Sequence, residues 1–268
     1  MNVSEALEAR RSVRYFQDRS VPEETLRSIV KDAQWAPSWA NAQPWKVYIA
    51  TGRKAEEIRQ NHYNSARRGM RGSSDLETGH RSDWGQKAYQ NMGLWGDDLS
   101  GYLGYEAGSQ FSSSQAELFD APAIVYLTMH RNSPLFSIFD MGAFSQSLMR
   151  AAKERGVDSM EAYEFVKFPD AIRKLMGIPD DEAIVMGIGL GYADDRKING
   201  FRSSREPLED VLTIRSEQGR AETGQEACGM QARSNRNKGL RHGQRPFFIR
   251  SAIPAGSLVQ TVLLSECH

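Results

Sequence analysis

Two unbroken apolar runs constrain this chain more than any other feature: residues 123–129 (AIVYLTM) and 183–190 (AIVMGIGL). Each is rich in β-branched residues and far shorter than the roughly 20 residues a bilayer span needs. Neither shows the polar–apolar alternation of a half-solvated strand. Both therefore read as buried strands, which other elements must cover. Residues 46–50 (KVYIA) add a third strand.

Helical periods lie between them. Ser4 caps a predicted helix over 5–11, with Glu5 in its first turn. Pro22 stands where a first helical position belongs. Leu26, Ile29, Val30 and Ala33 follow at helical spacing and stop before Pro37. Residues 54–60 read as a helix. Residues 139–155 form a long one, with Met141, Phe144, Ser145, Leu148 and Ala152 on one face and Gly156 as its stop. Pro169 opens another, carrying Ile172, Leu175 and Met176. Residues 61–120 hold Trp84, Tyr89, Trp95, Tyr102 and Tyr105 among many Gly, Ser and Asp. They give no firm period, and Ser109 to Ser114 read as a polar loop. Strands and helices mix without strict alternation, so the fold class is α+β, in layers.

The 268 residues divide into a periodic body, 1–215, and an irregular tail, 216–268. The tail carries seven Lys and Arg against four Asp and Glu, leaving 27 against 30 in the body, so the whole is neutral. Zero net charge argues against nucleic acid as the main partner. Both cysteines, Cys228 and Cys267, fall in the tail. The body thus has no disulfide framework or cysteine metal site, and His62, His80 and His130 lack metal-ligand spacing. The start MNVSEALEARR has no apolar signal region, so a soluble, cytoplasmic protein is expected. The tail reads either as an arm docking on a partner subunit or, preferred, as sequence not selected to fold.

Three elements could carry chemistry. Arg10, Arg11, Ser12 and Arg14 bring three guanidiniums and a hydroxyl together, a set suited to phosphate. The residue types alone leave open a solvated basic helix end. Residues 36–45 (APSWANAQPW) join a helix to a strand through two prolines, with Ser38, Asn41 and Gln43 as donors and acceptors. Arg202 and Arg205 form a second basic pair, which could join the first only if the two ends of the body meet. The glycines of 187–191 lack the third glycine of a dinucleotide loop and read as a strand end needing close backbone approach.

In this order these elements resemble the FMN-dependent nitroreductase family. The resemblance rests on ARRSVRYF (9–16), APSWANAQPW (36–45), GVDSMEAY (156–163), IPDDEAIVMGIGLGY (178–192) and NGFRSSREPL (199–208). It covers about residues 4–214. It implies a nitroreductase-like fold, a mixed central β-sheet flanked by helices, with noncovalent FMN at a homodimer interface. Arg10, Arg11, Ser12 and Arg14 would hold the phosphate and ribityl chain, and Arg205 with Arg202 would complete the phosphate site. Pro37, Ser38 and Asn41 would reach the flavin from the other subunit. Ser159, Met160, Glu161 and Ala162 would run past the isoalloxazine ring, where a backbone N–H can meet flavin N5. Ala162 replaces a frequent glycine but stays small. Asn61, His62 and Asn64 are candidates for the pyrimidine edge. Trp39, Trp84 and Trp95 would help build the substrate pocket.

The implied activity is hydride transfer from NADPH or NADH to a nitroaromatic, quinone or similar flat small-molecule acceptor. The flavin carries the chemistry, so no catalytic side chain and no metal is expected. Three readings stand beside it: another reaction on the same fold, such as reductive dehalogenation; a flavin-binding protein without turnover; and a chain whose tail blocks the dimer.

Overall fold

The computed structural model describes residues 2–215. The aperiodic stretch 216–268 and its cysteines lie outside them. Residues up to Ser203 form one compact unit, and 204–215 are described by themselves.

The compact unit is a four-stranded sheet between helices. β1 (Lys46–Thr51), β2 (Ala123–His130), β3 (Asp158–Glu161) and β4 (Glu182–Gly191) pair in the order β1-β2-β4-β3, each pair antiparallel. Among the described residues, the parallel component of the expected mixed sheet is one isolated bridge, Ser12 to Ser159. The two apolar runs are the two central strands, paired from Ala123 opposite Leu190 onward.

Their burial follows from three layers. Val125, Leu127 and Met129 of β2 face α2 (Glu23–Ala33) and α6 (Ser137–Glu154). Ile124 and Tyr126 face α3 (Gly52–Arg67) and α7 (Pro169–Met176). With apolar cover on both sides, alternation has no polar face to mark. α6 buries the predicted face, Met141, Phe144, Ser145, Leu148 and Ala152.

Several local readings shift. α1 (Val3–Ala9) is capped by Asn2, whose side chain accepts from Glu5 N–H while Glu5 reaches back, so Ser4 lies inside the helix. Pro22 sits at the cap of α2 rather than its first position. α3 runs well beyond residues 54–60. The uncertain stretch holds α4 (Gln86–Leu103) and α5 (Ala107–Ala116), so Ser109 to Ser114 are helical, not loop. α4 packs Leu99 and Leu103 with Tyr15, Ile198 and Phe201, and Trp95 and Phe111 flank that cluster. The short α8 (Leu208–Val211) belongs to the separate segment.

The glycines of β4 have a steric reason. A Cβ on Gly187 would lie 2.2 Å from Phe165 Cβ. One on Gly189 would meet Phe165 Cζ at 2.8 Å, and one on Gly191 would meet Pro122 Cδ at 2.7 Å and Phe16 at 2.8 Å. These glycines let Phe165, Pro122 and Phe16 rest directly on the strand, the close backbone approach read from sequence.

Before β2 the chain makes a left-handed run: Leu118, Phe119 and Asp120 have φ of 47°, 63° and 56°. Such residues cost about 1–2 kcal/mol each when they are not glycine. The run is held because Leu118 and Phe119 are each 1% exposed, and Phe119 O accepts Phe16 N–H at 3.1 Å.

Candidate functional site

The first basic motif is threaded along the outer edge of β3. Val13 N–H donates to Ser159 O at 3.0 Å, completing the Ser12–Ser159 bridge. Phe16 bridges Ala193, and Asp194 N–H donates to Tyr15 O at 3.1 Å. Asn199 stitches the same segment from the far end of the compact unit. Its Oδ1 accepts Arg14 N–H at 2.7 Å and Tyr15 N–H at 3.2 Å, and its Nδ2 donates to Tyr15 O at 2.7 Å. Arg202 Nη1 donates to Glu8 O at 2.9 Å, in the last turn of α1. The two ends of the unit therefore meet. Arg205 lies in the separate segment, where its Nη1 donates to Ser204 O at 2.8 Å.

β3 is a short edge strand, and its hydrogen-bond phase decides which amides face outward. Ala162 N–H donates to Gly187 O at 3.3 Å, and Met160 stands opposite Gly189. In an antiparallel ladder such pairs alternate with outward-facing positions. Ser159 and Glu161 thus turn their N–H groups to the outer edge, the one already bridged by Ser12. The Met160 side chain joins the core on the α3–α7 side. The Glu161 carboxylate accepts from Ser145 Oγ on α6.

α6 also holds the 36–45 loop. Asp140 is 3% exposed, and both its oxygens accept Trp39 N–H at 3.2 Å. Trp45 stacks on Phe144 with centroids 4.7 Å apart. Ser38 Oγ accepts Gln43 N–H at 3.0 Å, and Asn41 Oδ1 accepts from Gln43 Nε2 at 3.0 Å. Ala40, Asn41 and Gln43 have φ of 48°, 58° and 45°, so the loop is strained as well as pinned. Pro37 and Asn41 lie at the surface, with Ser38 half-buried. One helix thus fixes both the loop, through Asp140 and Phe144, and β3, through Ser145.

Arg10 ends α1, and Arg10, Arg11 and Ser12 are half-buried. Arg14 is 5% exposed, and burial pushes its guanidinium pKa down. The Nε atoms of Arg11 and Arg14 are buried without a hydrogen-bond partner among the described residues. Such donors suit an incoming anionic or carbonyl oxygen.

The tryptophans have different surroundings. Trp39 is 69% exposed on the loop. Trp84 is exposed, its Nε1 donating to Thr78 O at 3.0 Å. Trp95 packs edge-on against Phe111 with centroids 5.7 Å apart, beside Arg14. His62 is buried with Phe168, its Nε2 3.3 Å from Glu164 Oε2. His62 and Asn64 both sit on α3, where Asn64 accepts from Gln60 at 3.3 Å. Sequence reasoning passed over Asp140, Ser145 and Asn199 as site residues. Asn199 opens one of the quoted motifs, which was the available signal. Among the described residues, no group of His, Cys, Asp and Glu could hold a metal ion, and no helix is long and apolar enough to cross a membrane.

Comparisons with known proteins agree with this geometry. The 4-nitrobenzoate reductase of Nocardioides sp. (strain LMS-CY) is 32% identical over 216 residues, 76% of this chain and 86% of that protein. The crystal structure of the FMN-dependent nitroreductase NfnB from Mycobacterium smegmatis in complex with NADPH superposes with a TM-score of 0.73 at 26% identity, covering 80% of this chain and 97% of that one. The FMN and NADPH-dependent nitroreductase NfnB from sphigopyxis sp. strain HMH gives 0.72 at 26% identity, covering 81% and 100%. Residues 7–192 match the Nitroreductase family. The chain belongs to the Nitroreductase family.

Proposed function

We propose that this protein is an FMN-dependent NAD(P)H oxidoreductase of nitroreductase type, acting as a cytoplasmic homodimer on a flat small-molecule acceptor. One observation carries the proposal: the Ser12–Ser159 bridge lays the basic motif along the outer edge of the strand whose Glu161 amide faces outward. A phosphate ligand and a planar ring edge would be served by adjacent stretches of backbone. The orphaned Nε donors of Arg11 and Arg14 fit such a ligand.

When bound, FMN would supply the two-electron chemistry between NADPH or NADH and a nitroaromatic, quinone or similar acceptor. The chain's own residues bind and orient. Arg10, Arg11, Ser12 and Arg14 would hold the phosphate and ribityl chain, and the family resemblance assigns Arg202 and Arg205 to the same phosphate. The outward Glu161 N–H would be available to the flavin N5 edge, with Met160 and Ala162 beside it. Ala162 keeps that approach narrow-walled, having only a methyl group. Pro37, Ser38 and Asn41 are held ready by Asp140 to serve the partner subunit's flavin. Residues 1–215 form the flavin-binding domain, and 216–268 are an appended tail.

The test is a visible spectrum of the purified dimer before and after heat release of cofactor. The expected result is a yellow protein releasing about one FMN per chain, oxidising NADPH or NADH when a nitroaromatic is added. Arg205→Glu is expected to weaken FMN binding at least about tenfold, from the loss of a charge-assisted hydrogen bond. A colourless protein that takes up no added FMN refutes the proposal. Full flavin retention by Arg205→Glu removes that residue from the phosphate site.

A further inference from the structure

Arg14 is a buried cation with no carboxylate paired to it among the described residues. Its main-chain N–H is fixed by Asn199, and its Nη1 donates to the Ser12 carbonyl at 3.3 Å. Three aromatic rings surround the guanidinium carbon: Trp95 at 5.7 Å, Phe111 at 5.9 Å and Phe201 at 6.0 Å to their centroids. They come from α4, from α5 and from the residue after the Lys197–Gly200 turn. An arginine desolvated without a counter-charge is ordinarily costly. Here ring faces supply part of the missing stabilisation, because their quadrupoles attract a cation within about 6 Å.

We infer that Trp95 and Phe111 are positioning residues: they form an aromatic box that holds Arg14 charged, dry and in one rotamer for an anionic cofactor. The inference rests on the FMN reading above. It gives the α4–α5 helices a role in cofactor affinity and moves Trp95 from the substrate pocket to the support of the cofactor site. In water, an arginine must be ordered and partly dehydrated before it meets a phosphate or flavin oxygen. The box completes both steps as the protein folds, so binding meets a fixed charge whose Nε lacks a hydrogen-bond partner among the described residues. Without the rings, the guanidinium reaches water and regains its rotamers.

A thermodynamic cycle on the full chain tests this, reading FMN dissociation constants by fluorescence quenching and melting temperatures of the flavin-free protein. Trp95→Leu is expected to weaken FMN binding about tenfold, the scale of a desolvated cation–π contact. Trp95→Phe, which keeps a ring face, is expected to recover most of that loss. Arg14→Met fills the box with a neutral side chain, so its flavin-free form is expected to melt at or above wild type while its FMN affinity falls. In the Arg14→Met background, adding Trp95→Leu is expected to change FMN affinity by less than about twofold. An undiminished tenfold effect there would show that Trp95 acts by packing alone and would overturn the inference. So would wild-type affinity in Trp95→Leu. A wild-type protein that binds no FMN overturns the functional reading and, with it, this one.

Discussion

The glycine stripe of β4 offers the sharpest test of the packing argument. Consider Gly187→Ala. The added Cβ would stand 2.2 Å from Phe165 Cβ and 3.4 Å from Phe165 Cα. Carbon atoms prefer about 3.5–4.0 Å, so a separation well over 1 Å must be found. Phe165 cannot provide it by rotating its ring, because the obstructing atom is its own Cβ, fixed by the backbone. The 3-10 turn Tyr163–Val166 must move as a body, and it follows β3 directly. Overpacking of this kind costs about 1–3 kcal/mol, and the upper end applies where backbone must move. Removing a strand glycine returns about 0.5–1 kcal/mol of conformational entropy. The net loss of about 2 kcal/mol corresponds to a melting temperature about 4–8 °C lower for a domain of this size. Gly189→Ala meets the tip of the Phe165 ring at 2.8 Å and Ala121 Cβ at 2.9 Å, so the ring can tilt and the loss is smaller. Phe165→Leu removes that tip and is expected to recover part of the Gly189→Ala loss. Gly93→Ala, on an exposed turn of α4 where the new Cβ meets nothing within 4 Å, is expected to raise the melting temperature by about 2 °C. Thermal unfolding followed by circular dichroism, with and without saturating FMN, decides the matter. A Gly187→Ala protein that melts at or above wild type would refute the steric account of this strand.

Two further predictions concern polar groups. Asp140→Ala strands the Trp39 N–H and releases a loop with three left-handed residues. It is expected to cost about 1.5–3 kcal/mol and to weaken flavin binding, with Asp140→Asn partly restoring both in melting and titration. Asp120 has its carboxyl pKa raised, first by burial and further by Asp194, against the opposing pull of Arg59 and Arg196. Its ionised form is therefore a liability at neutral pH that fades as pH falls through the raised folded value. Asp120→Asn, which also tolerates the positive φ, is expected to raise the melting temperature by a few degrees at most at neutral pH, and by nothing at about pH 3. A gain that persists undiminished in acid would contradict the assigned cause.

What could be read in the sequence tracks the range of the interactions involved. β2, β4 and α6 are set by local apolar pattern and, for α6, by the stop at Gly156, and these were legible. β3 was not, because its four residues, Asp-Ser-Met-Glu, have no apolar period. They become a strand only because β4 lies alongside. The helical state of Ser109 to Ser114 escaped notice for a related reason: a serine-rich stretch has weak helical preference, and packing of its neighbours against Arg14 and Trp95 decides it. At the site, the arginines and the proline-framed loop announce themselves by composition. Their supports do not. Asp140 acts on Trp39 across 101 residues and Asn199 on Arg14 across 185, and no spacing rule connects such pairs.

The left-handed run at Leu118–Asp120 also limits how this protein can change. Glycine is the usual exit from a strained left-handed position, since it removes the clash in one substitution. At Leu118 and Phe119 that exit is closed, because each is also a core side chain, 1% exposed. Truncating either would open a cavity costing about 2–5 kcal/mol, more than the strain relieved. Relief would require a larger neighbour to fill the space at the same step. The turn is therefore trapped by its own packing: two unfavourable backbone conformations persist because each single-residue escape leads through a worse state. Asp120, half-buried beside them, is the member of the run where a lineage could trade residues freely.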